Sequence, residues 1–161
     1  PLRARLARAS AVRREHGFAF ALDGTLLTGI VDVLAEEPAG VRLVVDYKTD
    51  RVEPGTDLEA YVAAHYAVQQ RVYALAVLRA GAERVDVAYA FLERPEQPVL
   101  AAFAAAGAGR LEDQVRVLAA GPLGGCYPVT DRPHRDLCLT CPGRRALCSH
   151  PEEMTLRASP G

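Results

Sequence analysis

The 161 residues predict a mixed α/β fold in which one central sheet is flanked by helices and followed by a cysteine-rich tail. Three observations predict it. Residues 18–48 hold three runs of strand-forming residues separated by turn signals. A long helical pattern and then a strand pattern follow them. From Gly121 onward all periodicity stops, and that stretch holds all four cysteines.

In chain order, residues 2–15 read as a short helix with Leu2, Leu6 and Val12 as apolar points. Phe18 to Leu22 reads as a first strand, closed by the turn dipeptide Asp23-Gly24. Leu26 to Leu34 is the second strand, with Gly29 near its middle, where a glycine marks a bulge or a close approach. Pro38-Ala39-Gly40 turns the chain into a third strand, Val41 to Lys48, which completes an antiparallel meander. Thr56 followed by Glu59 is a capping-box pattern, so one helix should start there, run to about Arg79 and stop at Gly81. Val85 to Leu92 alternates as a strand, Val99 to Phe103 reads as an edge strand, and Arg110 to Ala119 forms a last helix with Leu111, Val115 and Leu118 on one stripe. The expected domains are a core over residues 1–120 and a metal-binding tail over 121–161.

Formal charge is −1, so composition alone names no polyanion partner. Arginines do gather at two places, with Arg3, Arg5, Arg8, Arg13 and Arg14 in the first and Arg132, Arg135, Arg144 and Arg145 in the second. No run approaches the roughly 20 apolar residues of a membrane span, and no signal peptide is visible. The chain opens without methionine and in a polar helical pattern, which reads as a piece of a longer polypeptide. Its high alanine and arginine with a single lysine suits a bacterial protein, expected in the cytoplasm.

The chemistry concentrates in GIVDVLAEE (Gly29–Glu37) and LVVDYKTD (Leu43–Asp50). Alternation on a strand puts Asp46 and Lys48 on one face and Tyr47 on the other. Asp32 sits among Ile30, Val31 and Val33, and a buried carboxylate needs a partner. Arginines or backbone amides could supply that partner. So could a Mg²⁺ or Mn²⁺ ion shared by Asp32 and Asp46, with Lys48 beside it to activate water and offset phosphate charge. On the following helix, Gln69 and Tyr73 are i and i+4, and Tyr66 lies three residues before Gln69, a polar stripe unlike a plain core.

Together, G-x-x-D at Gly29–Asp32, D-Y-K-T at Asp46–Thr49 and Q-x-x-x-Y at Gln69–Tyr73 resemble the PD-(D/E)xK nuclease superfamily, in particular its RecB-like and Cas4-like branch. The resemblance covers roughly residues 12–150 and implies a restriction-endonuclease-like core. It implies Asp32, Asp46 and the Tyr47 carbonyl as metal ligands, Lys48 as the catalytic lysine, and Gln69 and Tyr73 as the accessory pair. Glu15 matches an acidic residue placed before the first strand in the family. Members usually carry a metal-binding histidine on an earlier helix. Here His16 lies too close to the first strand and His65 is on another helix, so that histidine is expected upstream of Pro1 or is lacking.

The tail spaces its thiols as Cys126-x11-Cys138-x2-Cys141-x6-Cys148. Four cysteines in 23 positions argue for a metal knot, either zinc or iron–sulfur, in a reducing compartment. The resemblance implies a 4Fe-4S cluster, with structural Zn²⁺ the alternative and Cys126 as the available fourth ligand. The function implied is a metal-dependent deoxyribonuclease module of a repair or recombination helicase, acting on single-stranded or unwound DNA beside helicase domains. The competing expectation is an inactive nuclease fold that grips DNA or a helicase partner.

Overall fold

The computed structural model of the chain describes residues 2–159 and divides into two compact units, Pro1–Ala120 and Gly121–Gly161. In the first unit, helix α1 (Leu2–Arg8) leads into β1 (Ala11–Leu22), β2 (Thr25–Glu36) and β3 (Val41–Lys48). Helices α2 (Leu58–His65) and α3 (Ala67–Arg79) cross to β4 (Arg84–Phe91), β5 (Val99–Ala104) comes next, and α4 (Ala108–Leu123) starts in this unit and ends three residues past it. The strands form one sheet in sequence order, antiparallel throughout except for the parallel β3–β4 pair. That parallel pair requires a crossover, and α2 and α3 supply it. The mixed sheet flanked by helices is the architecture the sequence predicts.

One sheet face packs against α3, whose residues Tyr73 to Leu78 are all buried against Phe20, Leu22, Val31, Val44, Val85, Val87, Tyr89 and Phe91. Burying side chains of this size contributes about 1.5–3 kcal/mol each. On the other face Val33, Ala35, Leu43, Val45 and Ala88 are met by Leu2, Leu6 and Ala9 of α1 and its end. Arg5 pins α1 to the sheet, paired with Glu37 and with buried Asp86 at 2.8 Å, and Arg84 holds the other Asp86 oxygen at 2.9 Å. Arg5 is thus neutralised inside the fold, as Arg13 is by Glu36 at 3.0 Å, so the first arginine cluster is less basic than its sequence suggests.

Four expectations are corrected. The first helix ends at Arg8, not at residue 15, and β1 begins at Ala11, because β2 runs on to Glu36 and pairs with β1 as far as Ala11. Strand pairing there satisfies the backbone groups, which outweighs the helical spacing of Leu6 and Val12. Glu15 consequently lies inside β1, not before the first strand. The helix after the meander starts one residue later than the capping box suggested. Asp57 is its cap, accepting from the Glu59 and Ala60 amides at 2.9 and 3.1 Å. Instead of running unbroken to Arg79, that helix breaks at Tyr66, which has φ −121° and ψ 7°.

Two local features of the long β1–β2 hairpin set the geometry of the neighbouring strands. Phe18 lies directly opposite Gly29, and a Cβ at 29 would stand 2.5 Å from the Phe18 ring, so only glycine lets that ring fold over the strand and meet Tyr73 edge-on at 5.8 Å. Farther along, Arg14 pairs with Val33 and His16 with Val31, but Glu15 and Asp32 between them drop out of the ladder, with Glu15 at φ 47°. The alternation changes phase at this point: Val31 faces the α3 side, whereas Val33 faces the α1 side.

Candidate active site

Strands β2 and β3 pair from Glu36↔Arg42 to Val33↔Val45 and then part. Beyond this point β2 pairs only with β1, and β3 only with β4. The next couple in the register would be Asp32 and Asp46, so both aspartates stand where the sheet forks. At the phase break Asp32 reaches across to β3, and its Oδ2 accepts the Tyr47 backbone N–H at 2.8 Å. Tyr73 of α3 enters the fork from the helix side, its hydroxyl 3.1 Å from the Ile30 carbonyl and 3.2 Å from Asp46 Oδ1.

Alternation along β3 buries Asp46 and Lys48 and leaves Tyr47 exposed. Asp46 is 4% exposed and Lys48 9%. The Lys48 ammonium lies 2.7 Å from Asp46 Oδ2, an ion pair by distance, yet that oxygen accepts no well-aligned hydrogen bond. Lys48 instead donates to Gln69 Oε1 at 2.9 Å, and Gln69 Nε2 donates to the Tyr73 hydroxyl at 3.0 Å. Asp46, Lys48, Gln69 and Tyr73 therefore close a ring of polar contacts, with Asp32 across the fork. The i,i+4 spacing on α3 brings Gln69 and Tyr73 to one acceptor–donor pair, with Gln69 contributing both its oxygen and its nitrogen.

Burial, followed by the nearby Asp46 charge, pushes the Tyr73 and Tyr89 phenols well above their ordinary range. A tyrosine in the unfolded chain ionises near pH 10, whereas these two hold their protons beyond it. Their contribution to stability is complete below pH 10. It is lost as pH rises further, at up to about 1.4 kcal/mol per pH unit for each. Urea midpoints measured from pH 8 to 12 should stay flat to about 10 and then fall, more gently in Tyr73→Phe. A flat profile above pH 10 would contradict this burial.

A divalent cation fits the donor set at the fork. Asp46 Oδ2 is a buried oxygen without an aligned donor, and Asp32 stands at the same crotch. Among the described residues no three His, Cys, Asp or Glu side chains converge on one point, at the fork or elsewhere, so the fork offers two carboxylates and backbone oxygen only. His16 sits on β1 opposite Val31, and the His65 ring packs on Tyr61 at 4.3 Å. Asp50 closes the Leu43–Asp50 motif, and no local pattern marks it as part of the site. It accepts from the hydroxyls of Tyr66 at 2.7 Å and Tyr61 at 3.2 Å.

In the second unit all four cysteines are free: Cys126 and Cys141 exposed, Cys148 partly buried, Cys138 buried. Turns organise them, with the Cys141 amide on the Cys138 carbonyl at 3.1 Å and the Cys148 amide on the Gly143 carbonyl at 2.9 Å. Arg144 bonds buried Thr155 at 2.8 Å and Glu152 at 3.2 Å. The described residues do not gather the thiols into one ligand set.

The profile of the PD-(D/E)XK nuclease superfamily matches residues 2–148. An ATP-dependent helicase/nuclease subunit from Desulforudis audaxviator is 41% identical over 102 residues, which are 55% of this chain and 8% of that protein. A protein of the same name from Lysinibacillus sphaericus is 35% identical over 82 residues, 45% of this chain and 7% of that one. The chain thus spans less than a tenth of the length of these curated relatives. A solved structure described as a candidate exonuclease from Eubacterium rectale is 16% identical, covering 92% of this chain and 56% of its own, with a TM-score of 0.44.

Proposed function

The chain belongs to the PD-(D/E)XK nuclease superfamily, and on that premise we propose that its fork hydrolyses DNA phosphodiester bonds with Mg²⁺ or Mn²⁺ held by Asp32, Asp46 and the Tyr47 carbonyl. The observation that carries this reading is the buried Asp46–Lys48 pair, with Asp46 Oδ2 lacking an aligned donor. As a scaffold such a pair is a poor choice, since apolar residues in its place are often as stable or more so.

A hard divalent cation at these carboxylates supplies an electrophile for the phosphate and a more acidic water. The chain's own residues supply position. Asp32 is fixed by the Tyr47 amide, and Asp46 by Tyr73. Lys48, held by Gln69, keeps its buried ammonium beside Asp46, where it can hydrogen-bond the attacking water or a non-bridging phosphate oxygen. Tyr73 stays protonated and so acts as a donor to Asp46.

The relatives' names support a place within a bacterial helicase–nuclease polypeptide. Single-stranded or unwound DNA as the substrate, and a role in repair or recombination, are part of the same proposal. No helix among the described residues is long and apolar enough to cross a membrane. A cytoplasmic setting belongs to the same helicase–nuclease reading. The spacing of Cys126, Cys138, Cys141 and Cys148 suits a structural metal, Zn²⁺ or iron–sulfur, and the preference for a 4Fe-4S cluster rests on the family resemblance. As placed here they fit neither geometry, and no catalytic step passes through them.

The test is cleavage of end-labelled single-stranded DNA by the domain with Mg²⁺ or Mn²⁺. Products that vanish with EDTA are the expected result. DNA binding without any cleavage would overturn the catalytic reading in favour of an inactive gripping module.

A further inference from the structure

We propose that Tyr66, anchored by Asp50, is the positioning residue that fixes Lys48 in the fork, a role that rests on the nuclease reading above. The first observation is the helix break. The chain leaves helical geometry at Tyr66, yet the segment from Val62 to Arg71 has no glycine or proline to cause it. The distortion is local, since the Tyr66 amide still reaches the Val62 carbonyl at 2.8 Å and the Gln70 amide the Tyr66 carbonyl at 2.9 Å. A break without a breaker residue points to a tertiary contact that outweighs helix continuity.

The tyrosine makes such a contact at both ends of its side chain. Its hydroxyl donates to Asp50 Oδ1 at 2.7 Å, and its ring centre lies 3.7 Å from the Lys48 ammonium. The ring itself is backed by fully buried Tyr89, with centroids 5.4 Å apart and planes inclined by 23°. Tyr61 donates to the same Asp50 oxygen at 3.2 Å and packs on Phe91 at 5.9 Å. Lys48 is thereby bounded by a carboxylate, an amide oxygen and two aromatic faces, Tyr66 close by and Tyr89 at 5.2 Å. A lysine stem is long and flexible, and a charge over a ring face is held without consuming its donors. The ammonium keeps hydrogens free for a phosphate or a water.

Asp50 lies just two residues past Lys48, at the end of the same motif. The segment that delivers the lysine therefore also delivers the anchor for its roof. The Tyr66 hydroxyl is spent on Asp50 and not on either of the two aspartates proposed to hold metal, so its effect is exerted through Lys48.

Lys48 is the sole lysine in the chain, so ¹³C,¹⁵N-lysine labelling yields one side-chain signal. In the wild-type domain its ε-methylene protons should be shifted upfield by the Tyr66 ring. Tyr66→Leu should return them toward free-lysine positions and lower kcat about 10²-fold, with KM for DNA changed less than about threefold. Tyr66→Phe and Asp50→Asn keep the ring but lose the anchor, and should fall between. A Tyr66→Leu domain that folds and leaves the Lys48 signal in place overturns the proposal, as does an unchanged kcat in a variant whose signal has moved. If Tyr66→Leu does not fold, the Tyr66→Phe and Asp50→Asn signals decide the matter. Should the wild type fail to cleave DNA, the nuclease reading falls, while the lysine signal still reports whether Tyr66 holds Lys48.

Discussion

Lys48→Met is expected to slow Mg²⁺-dependent DNA cleavage about 10³-fold, the scale seen when a preorganised charge is removed from a developing oxyanion. DNA affinity should change only a few-fold, because one buried ammonium adds little to binding along a strand. The same substitution strips Asp46 of its counter-charge in a site where the carboxylate is almost fully enclosed. Without metal the variant should therefore melt earlier than wild type. Added Mg²⁺ should raise its melting temperature more than it raises that of the wild type, since the cation takes over the neutralising role. Single-turnover cleavage and melts with and without Mg²⁺ check both halves. Equal cleavage by the variant would remove Lys48 from the mechanism.

Asp46→Asn is expected to abolish measurable cleavage and to destabilise the fold by about 3 kcal/mol, the penalty for leaving one charge of a buried pair without its partner. Asparagine can still accept from Tyr73, so the loss isolates the Lys48 charge from the hydrogen-bond geometry. The double variant Asp46→Asn, Lys48→Met leaves neither charge stranded and should regain most of that stability while remaining inactive. Activity and stability thus move apart across the three proteins, which urea midpoints beside cleavage rates will show. A double variant as unstable as Asp46→Asn alone would mean that the pair is structural in its own right.

The strands that carry Asp32, Asp46 and Lys48 were legible because β-branched runs and period-two alternation dominate there. Gln69 and Tyr73 were legible because i,i+4 neighbours share a helix face whatever the helix packs against. The antiparallel meander followed from its turn residues, and the crossover after it is long enough for a parallel pair. Contacts made far along the chain were not legible. Nothing local announces that β1 starts at Ala11, because its partner edge is supplied by residues up to Glu36. Nothing local breaks the helix at Tyr66, whose side chain is held by distant Asp50 and Lys48. The phase break at Glu15 and Asp32 was equally hidden, since alternation read from sequence assumes an unbroken ladder. The cysteine spacing was plain to read, but spacing does not place thiols in space, and the described residues do not bring them together.

Where β2 and β3 part, the sheet acquires an edge in its interior, and open strand edges invite pairing with foreign strands. Here the groups at that edge are occupied by side chains: the Tyr47 N–H by Asp32 and the Ile30 carbonyl by Tyr73. Both residues therefore double as guards against self-association. Their replacement would unmask a sticky seam at the place proposed for the nucleic-acid strand, so aggregation would accompany lost activity even where the fold survives.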